Sequence, residues 1–187
     1  MEELLKYKTE FPEKWSFLWS PEEAEQIPNE HKDQIHFLNE EGTEFVKKYL
    51  NSSKMLGANT ETEWSPFYKN YFKHTKSIPI RDDSDKEIKK WLYELGIPFK
   101  KYVMADLDRS GHAILMTWKM VIKYWEGLFF VDDIAVFDQS LNWCLYFSHE
   151  DYLYFGKDNT FDKEAEYEKT LWINELRNKK TTPQHRI

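Results

Sequence analysis

Between Lys100 and Gly156 the chain is a succession of short apolar and aromatic runs: "KKYVMAD", "HAILM", "LFFVDDIAVFD", "WCLYFS" and "YLYFG". Brief polar connections part them. Short runs rich in β-branched and aromatic residues, bounded by turn chemistry, read as strands. Most of the connections are too brief for a helical crossover, so successive strands are expected to pair antiparallel. One helix interrupts the series. In "TWKMVIKYWEG", Trp118, Val121, Ile122 and Trp125 recur at spacings of three and four, and Gly127 stops the helix. The pattern predicts an α+β fold, with an antiparallel sheet in the C-terminal half and helices packed on one side of it.

The first half reads as mainly helical. "SPEEAEQIP" offers Ser20 as N-cap, Pro21 at the first helical position and Glu23 three residues after the serine, with Pro28 as the stop. From Asp33 to Leu50, Ile35, Leu38, Phe45, Val46, Tyr49 and Leu50 predict an amphipathic helix in which Gly42 is a weak point. The aromatic cluster Trp64, Phe67, Tyr68, Tyr71 and Phe72 has a spacing compatible with helical turns. In "SDKEIKKWLYELGIP", Ser84 and Glu87 predict a capping box, Gly96 and Pro98 an end, and Ile88, Trp91, Leu92 and Leu95 the buried stripe. "DKEAEYEKTLWINELRNK" predicts a charged final helix showing Tyr167, Leu171, Ile173 and Leu176. The expected layout is one domain over 1–187. It is mainly helical over 1–96, mainly strands with one helix over 97–157, a helix over 158–178 and a tail over 179–187.

A chain of 187 residues can bury a sizeable core, and 13 Phe, 11 Tyr and 8 Trp supply rings for a dense core or a binding face. The net charge of −7 disfavours nucleic acid and favours a basic protein partner. From His149 to Lys169 seven acids stand against three lysines, whereas the last eleven residues carry Arg177, Lys179, Lys180 and Arg186 and no acid. Cys144 has no partner for an internal disulfide and sits in an apolar run, which predicts a buried, inert thiol. "MEELLKYKTEF" lacks the positive charge and apolar core of a signal peptide, and no run is long and apolar enough to span a membrane. The expected compartment is the cytoplasm.

Three acidic groups are candidate sites. In "DLDRSGHAILMT", Asp106, Asp108, Ser110 and Gly111 match the opening of a calcium loop, but Thr117 stands where a bidentate carboxylate is needed. A hairpin turn accounts for the same letters, so no metal is expected there. His149, Glu150 and Asp151 divide "WCLYFS" from "YLYFG", two strands of similar length, which predicts the turn of a hairpin. Asp132 and Asp133 break an apolar run and are too costly to bury unpaired; they mark a bend, a sheet edge or a seat for a cationic group. With Glu150, Asp151 and the ring of Trp143 they make the expected partner-binding set, an acidic rim beside aromatic side chains. No zinc spacing, GxSxG, phosphate loop or dinucleotide fingerprint occurs, so neither a metal nor a cofactor is expected.

The segment from "WKMVIKYW" through "EGLFFVDDIAVFD" to "NWCLYFSHEDYLYFG" resembles small bacterial domains of unknown function. In these, a Trp-bearing helix precedes a hydrophobic strand with paired aspartates. The layout and composition also resemble immunity proteins of bacterial polymorphic and contact-dependent toxin systems. That resemblance implies a protein that binds and blocks a cognate toxin, plausibly a basic nuclease, and it carries over no catalytic residue. The alternatives are a small carboxylate-dependent enzyme using Asp106, Asp132 or Glu150, with or without a divalent ion, and a cytosolic adaptor.

Overall fold

A computed structural model describes residues 2–10, 25–59, 64–81, 84–107, 112–129, 133–160 and 163–179. A 3₁₀ turn at Glu2–Tyr7 opens the chain. The α-helices are α1 (Asn29–Lys32), α2 (Glu40–Ser52), α3 (Asp85–Glu94), α4 (Trp118–Lys123), α5 (Trp125–Leu128) and α6 (Lys163–Lys179). The strands are β1 (Ile35–Phe37), β2 (Leu56–Asn59), β3 (Ser65–Phe67), β4 (Phe72–Pro79), β5 (Tyr102–Leu107), β6 (Ile114–Thr117), β7 (Ile134–Phe137), β8 (Trp143–Ser148) and β9 (Tyr152–Asn159). Seven of them form one antiparallel sheet in the order β1-β6-β5-β7-β8-β9-β4, and β2 and β3 form a separate hairpin. The α+β architecture with a large antiparallel sheet is as the sequence predicts.

The helices do not lie on one side. Alternate residues of the central strands enter two different cores. Val103, Ala105, Ile114, Met116, Val136, Leu145, Phe147, Leu153 and Phe155 face α3, α4 and α5 through Ile88, Leu92, Trp118, Val121 and Trp125. Met104, Leu115, Ala135, Phe137 and Cys144 face the opposite layer, where Leu4, Tyr7, Val46, Tyr49, Leu50 and Leu176 come from the 3₁₀ turn, α2 and α6. Strands covered on both faces are apolar throughout, not alternating, and that is why "HAILM" and "WCLYFS" read as unbroken apolar runs.

The first half also contributes strands. Ile35–Phe37 pairs with β6 as an edge strand, so the helix begins only at Glu40, with the Asn39 side chain accepting from Gly42 N at 3.0 Å. The aromatic cluster expected to be helical turns forms β3 and the start of β4 instead. Its rings stack edge-to-face across the strands: Phe67 on Phe72 at 4.9 Å and Tyr71 on Phe72 at 4.8 Å. Phe72 also lies over Gly156, where a Cβ would meet its ring at 2.2 Å. Ser84 precedes α3, yet its hydroxyl bonds Arg81 (accepting from N at 3.0 Å and donating to O at 2.7 Å), so no capping box forms. The buried stripe of α3 is as predicted in Ile88 and Leu92, with Trp91 and Leu95 partly buried.

On α6 the inward residues are Trp172, Ile173 and Leu176, whereas Tyr167 and Leu171 are exposed. Ser20, Pro21 and Glu23 lie outside the described residues, as does the tail beyond 179. No helix of the described residues is long and apolar enough to cross a membrane.

Candidate functional site: an acidic, aromatic end of the sheet

The triplet His149, Glu150 and Asp151 is a hairpin turn. Ser148 pairs with Tyr152, and Asp151 takes a left-handed φ of 60°, a conformation that Asp tolerates better than most residues. The Asp151 carbonyl accepts from Ile80 N at 2.7 Å, tying the turn to the end of β4. The turn thereby fixes three polar side chains at one end of the sheet.

Asp133 stands at that same end, immediately before β7. Its Oδ1 accepts from the backbone N and from the ring Nδ1 of His149, each at 2.9 Å. Burial pushes the Asp133 carboxyl up, but the His149 bonds and a Tyr146 hydroxyl outweigh it and hold the group below the usual carboxylate range. Asp133 is therefore a carboxylate at neutral pH, with its side chain 38 % exposed.

Cross-strand register aligns further groups. Asp106 on β5 pairs with Ala135 on β7, Ala135 with Tyr146 on β8, Tyr146 with Tyr154 on β9, and Tyr154 with Ser77 on β4. All five positions project to the face of Ala135, the layer of α2, because the residues flanking them on each strand belong to the opposite core. Ala135, between the acid and the two phenols, is buried. Tyr152 is exposed and tilts against Tyr154 at 5.9 Å, and Trp64 meets Tyr154 edge-on at 5.2 Å. The result is an acidic rim (Asp133, Glu150, Asp151) running into a half-exposed aromatic surface. Such a surface can accept guanidinium and ammonium groups at the acids and stack their stems or planes on the rings.

Of the expected partner-binding residues, Asp133, Glu150 and Asp151 come together, and Asp132 lies outside the described residues. Trp143 does not belong to the rim. Its ring is buried against Trp118 and Phe155, and its indole Nε1 donates to Asp138 Oδ2 at 2.9 Å. Trp143 sits on the strand face turned to α4, so its size serves packing. In the rejected calcium loop, Asp106 is a β5 residue, while Asp108 and Ser110 lie outside the described residues. Among the described residues no three His, Cys, Asp or Glu side chains are grouped to hold a metal ion.

Tyr146, Tyr152 and Tyr154 were missed as site residues. The signal was present: a hairpin centred on Glu150 sets Tyr146 opposite Tyr154, and alternation sets Tyr152 beside Tyr154. No family model, curated protein or solved structure matches the chain.

Proposed function

We propose that this protein works by binding, and that its acidic, aromatic sheet end receives basic side chains of a protein partner. The reading is that of an immunity-type protein neutralising a cationic toxin domain in the cytoplasm. The observation that carries it is the convergence of Asp133, Glu150 and Asp151 beside Tyr146, Tyr152 and Tyr154. A rim of carboxylates steers a cationic partner at long range, and a few rings that become buried supply most of the affinity. The test takes as partner the C-terminal domain of a toxin encoded beside this chain's gene. Its association rate should fall about tenfold or more between low and high salt. Neutralising Asp133, Glu150 and Asp151 together to Asn, Gln and Asn should flatten that dependence. An association rate indifferent to ionic strength would sink the electrostatic core of the proposal.

A second reading, a small carboxylate-dependent enzyme, draws support from the Asp133–His149 pair. A carboxylate on Nδ1 orients an imidazole so that Nε2 can move a proton. Turnover lost in His149→Gln while partner binding persists would favour it.

A further inference from the structure

The two edges of the main sheet are treated differently. At the β1 edge, the chain after the 3₁₀ turn lies alongside: Thr9 N donates to Phe37 O at 2.9 Å and Asn39 N to Tyr7 O at 2.8 Å. Among the described residues the β4 edge has no such cover. Seven of its eight residues, all but Lys73, pair with β9 on one side, and no strand of the described residues pairs on the other. Five consecutive residues, Lys73 to Ser77, are exposed. A long open edge presents backbone donors and acceptors in a row that another strand can complete.

Charge is distributed with equal asymmetry. In a chain of net charge −7, residues 65–81 contain no acid and carry Lys69, Lys73, Lys76 and Arg81. On the neighbouring strand β9, Asp158 lies 3.8 Å from His74. Lys76 Nζ rests 5.3 Å from the Trp91 ring centre on the α3 side, which holds its charge along the edge. Beside the strand on the other face lies a cleft of about 350 Å³ between β4 and the β2–β3 hairpin. Trp64, Tyr68 and Phe72 wall it, and Thr75, Ser77 and Tyr154 line the rest. A cleft of that size takes one large side chain: the ring walls suit an aromatic one, while the remaining lining is mainly polar.

We propose that β4 is a docking edge that adds an extended, acidic segment of a partner protein as an eighth strand, with one aromatic side chain of that segment set against the rings of the Trp64–Tyr68 cleft. Strand addition uses main-chain bonds for affinity and a flanking pocket for specificity. Lysines on an edge strand ordinarily discourage pairing, but they do so by charge. They repel a second copy of this chain, whose own β4 would bring the same lysines, and they favour a strand bearing Asp or Glu. The docking edge is distinct from the acidic rim and calls for the opposite charge. Tyr154 is the residue where the two surfaces meet.

The experiment uses the full chain and a synthetic peptide of about eight residues, with Glu and Val alternating around a central Phe. Hydrogen exchange should slow at the β4 amides from 73 to 77 on addition of the peptide. Lys73→Glu, an exposed change that leaves the cores untouched, should weaken binding about tenfold, while Lys73→Arg should retain it. A peptide N-methylated at alternate residues keeps its charge but loses main-chain donors, and it should not bind. Undiminished binding of the N-methylated peptide, equal binding of a Lys-for-Glu peptide, or no added protection along β4 would each overturn the proposal.

Discussion

Asp138 is the most constrained acid of the described residues. It is 3 % exposed, and its oxygens accept from Ser140 N at 2.8 Å, Ser140 Oγ, Trp143 Nε1 at 2.9 Å and Lys101 Nζ at 3.1 Å. Burial alone would raise its pKa, yet these donors together lower it. A carboxyl whose folded pKa is depressed contributes stability that is complete above its unfolded value near 3.8 and is lost as pH falls through the folded value. Asp138→Ala leaves the Trp143 indole and Ser140 amide without their acceptor and should cost about 2–4 kcal/mol at neutral pH by chemical denaturation. Asp138→Asn should flatten the acid limb of stability against pH, and an unchanged acid limb would show that the stabilising carboxylate lies elsewhere. Cys144 is fully buried, and burial raises its thiol pKa. Labelling by a thiol reagent should therefore proceed only at the rate of opening, and fast labelling of the native protein would contradict the fold.

At the scale of elements, the signals legible in the sequence were the local ones. The β5–β6 and β8–β9 pairs and the punctuation of α3 by Gly96 with its φ of 75° follow from turn residues and apolar spacing. The helical character of Trp118 to Trp125 does too, but the structure breaks it at Tyr124 into α4 and α5, and Gly127 lies within α5 and does not stop it. Where long-range pairing decided the outcome, local spacing misled. Ile35 and Leu38 fit a helical stripe, but β6 captures Ile35–Phe37 as a strand and moves the helix start to Asn39. Gly42 shows the same override. It is not a weak point in α2, because a Cβ there would meet Tyr7 Cβ at 2.6 Å, so the glycine lets α2 and the 3₁₀ turn approach. Helix propensity alone predicts that Gly42→Ala stabilises; contact predicts that it destabilises, and we expect a loss of about 1–3 kcal/mol in a denaturant titration. The caps make a paired test. Asn39→Ala should cost about 1 kcal/mol through loss of the Gly42 N bond. Ser84→Ala should act through the Arg81 turn, leaving the helicity of α3 unaltered in circular dichroism.

For the molecule as a whole, the sequence announced a sheet, and the two layers of helices around it could be inferred only from strands apolar at every position. The candidate rim was half legible for the same reason: the acids stood out as polar breaks, whereas which tyrosines join them depends on register across four strands. That register also governs unfolding. β5, β6, β7, β8 and β9 each send alternate residues into both cores, so neither core can come apart without losing the strands that build the other. Leu92 on α3 and Leu50 on α2 are buried on opposite sides of the sheet. Leu92→Ala and Leu50→Ala should each cost about 2–5 kcal/mol, and with the sheet between them the costs should add in the double variant. Tryptophan fluorescence, to which Trp118, Trp125 and Trp143 of one core contribute, and far-ultraviolet circular dichroism, which samples all layers, should report one coincident transition in every variant. If Leu50→Ala instead split the transition, with the fluorescence midpoint unmoved while dichroism shifted, the two layers would be separate folding units and the sheet would not couple them.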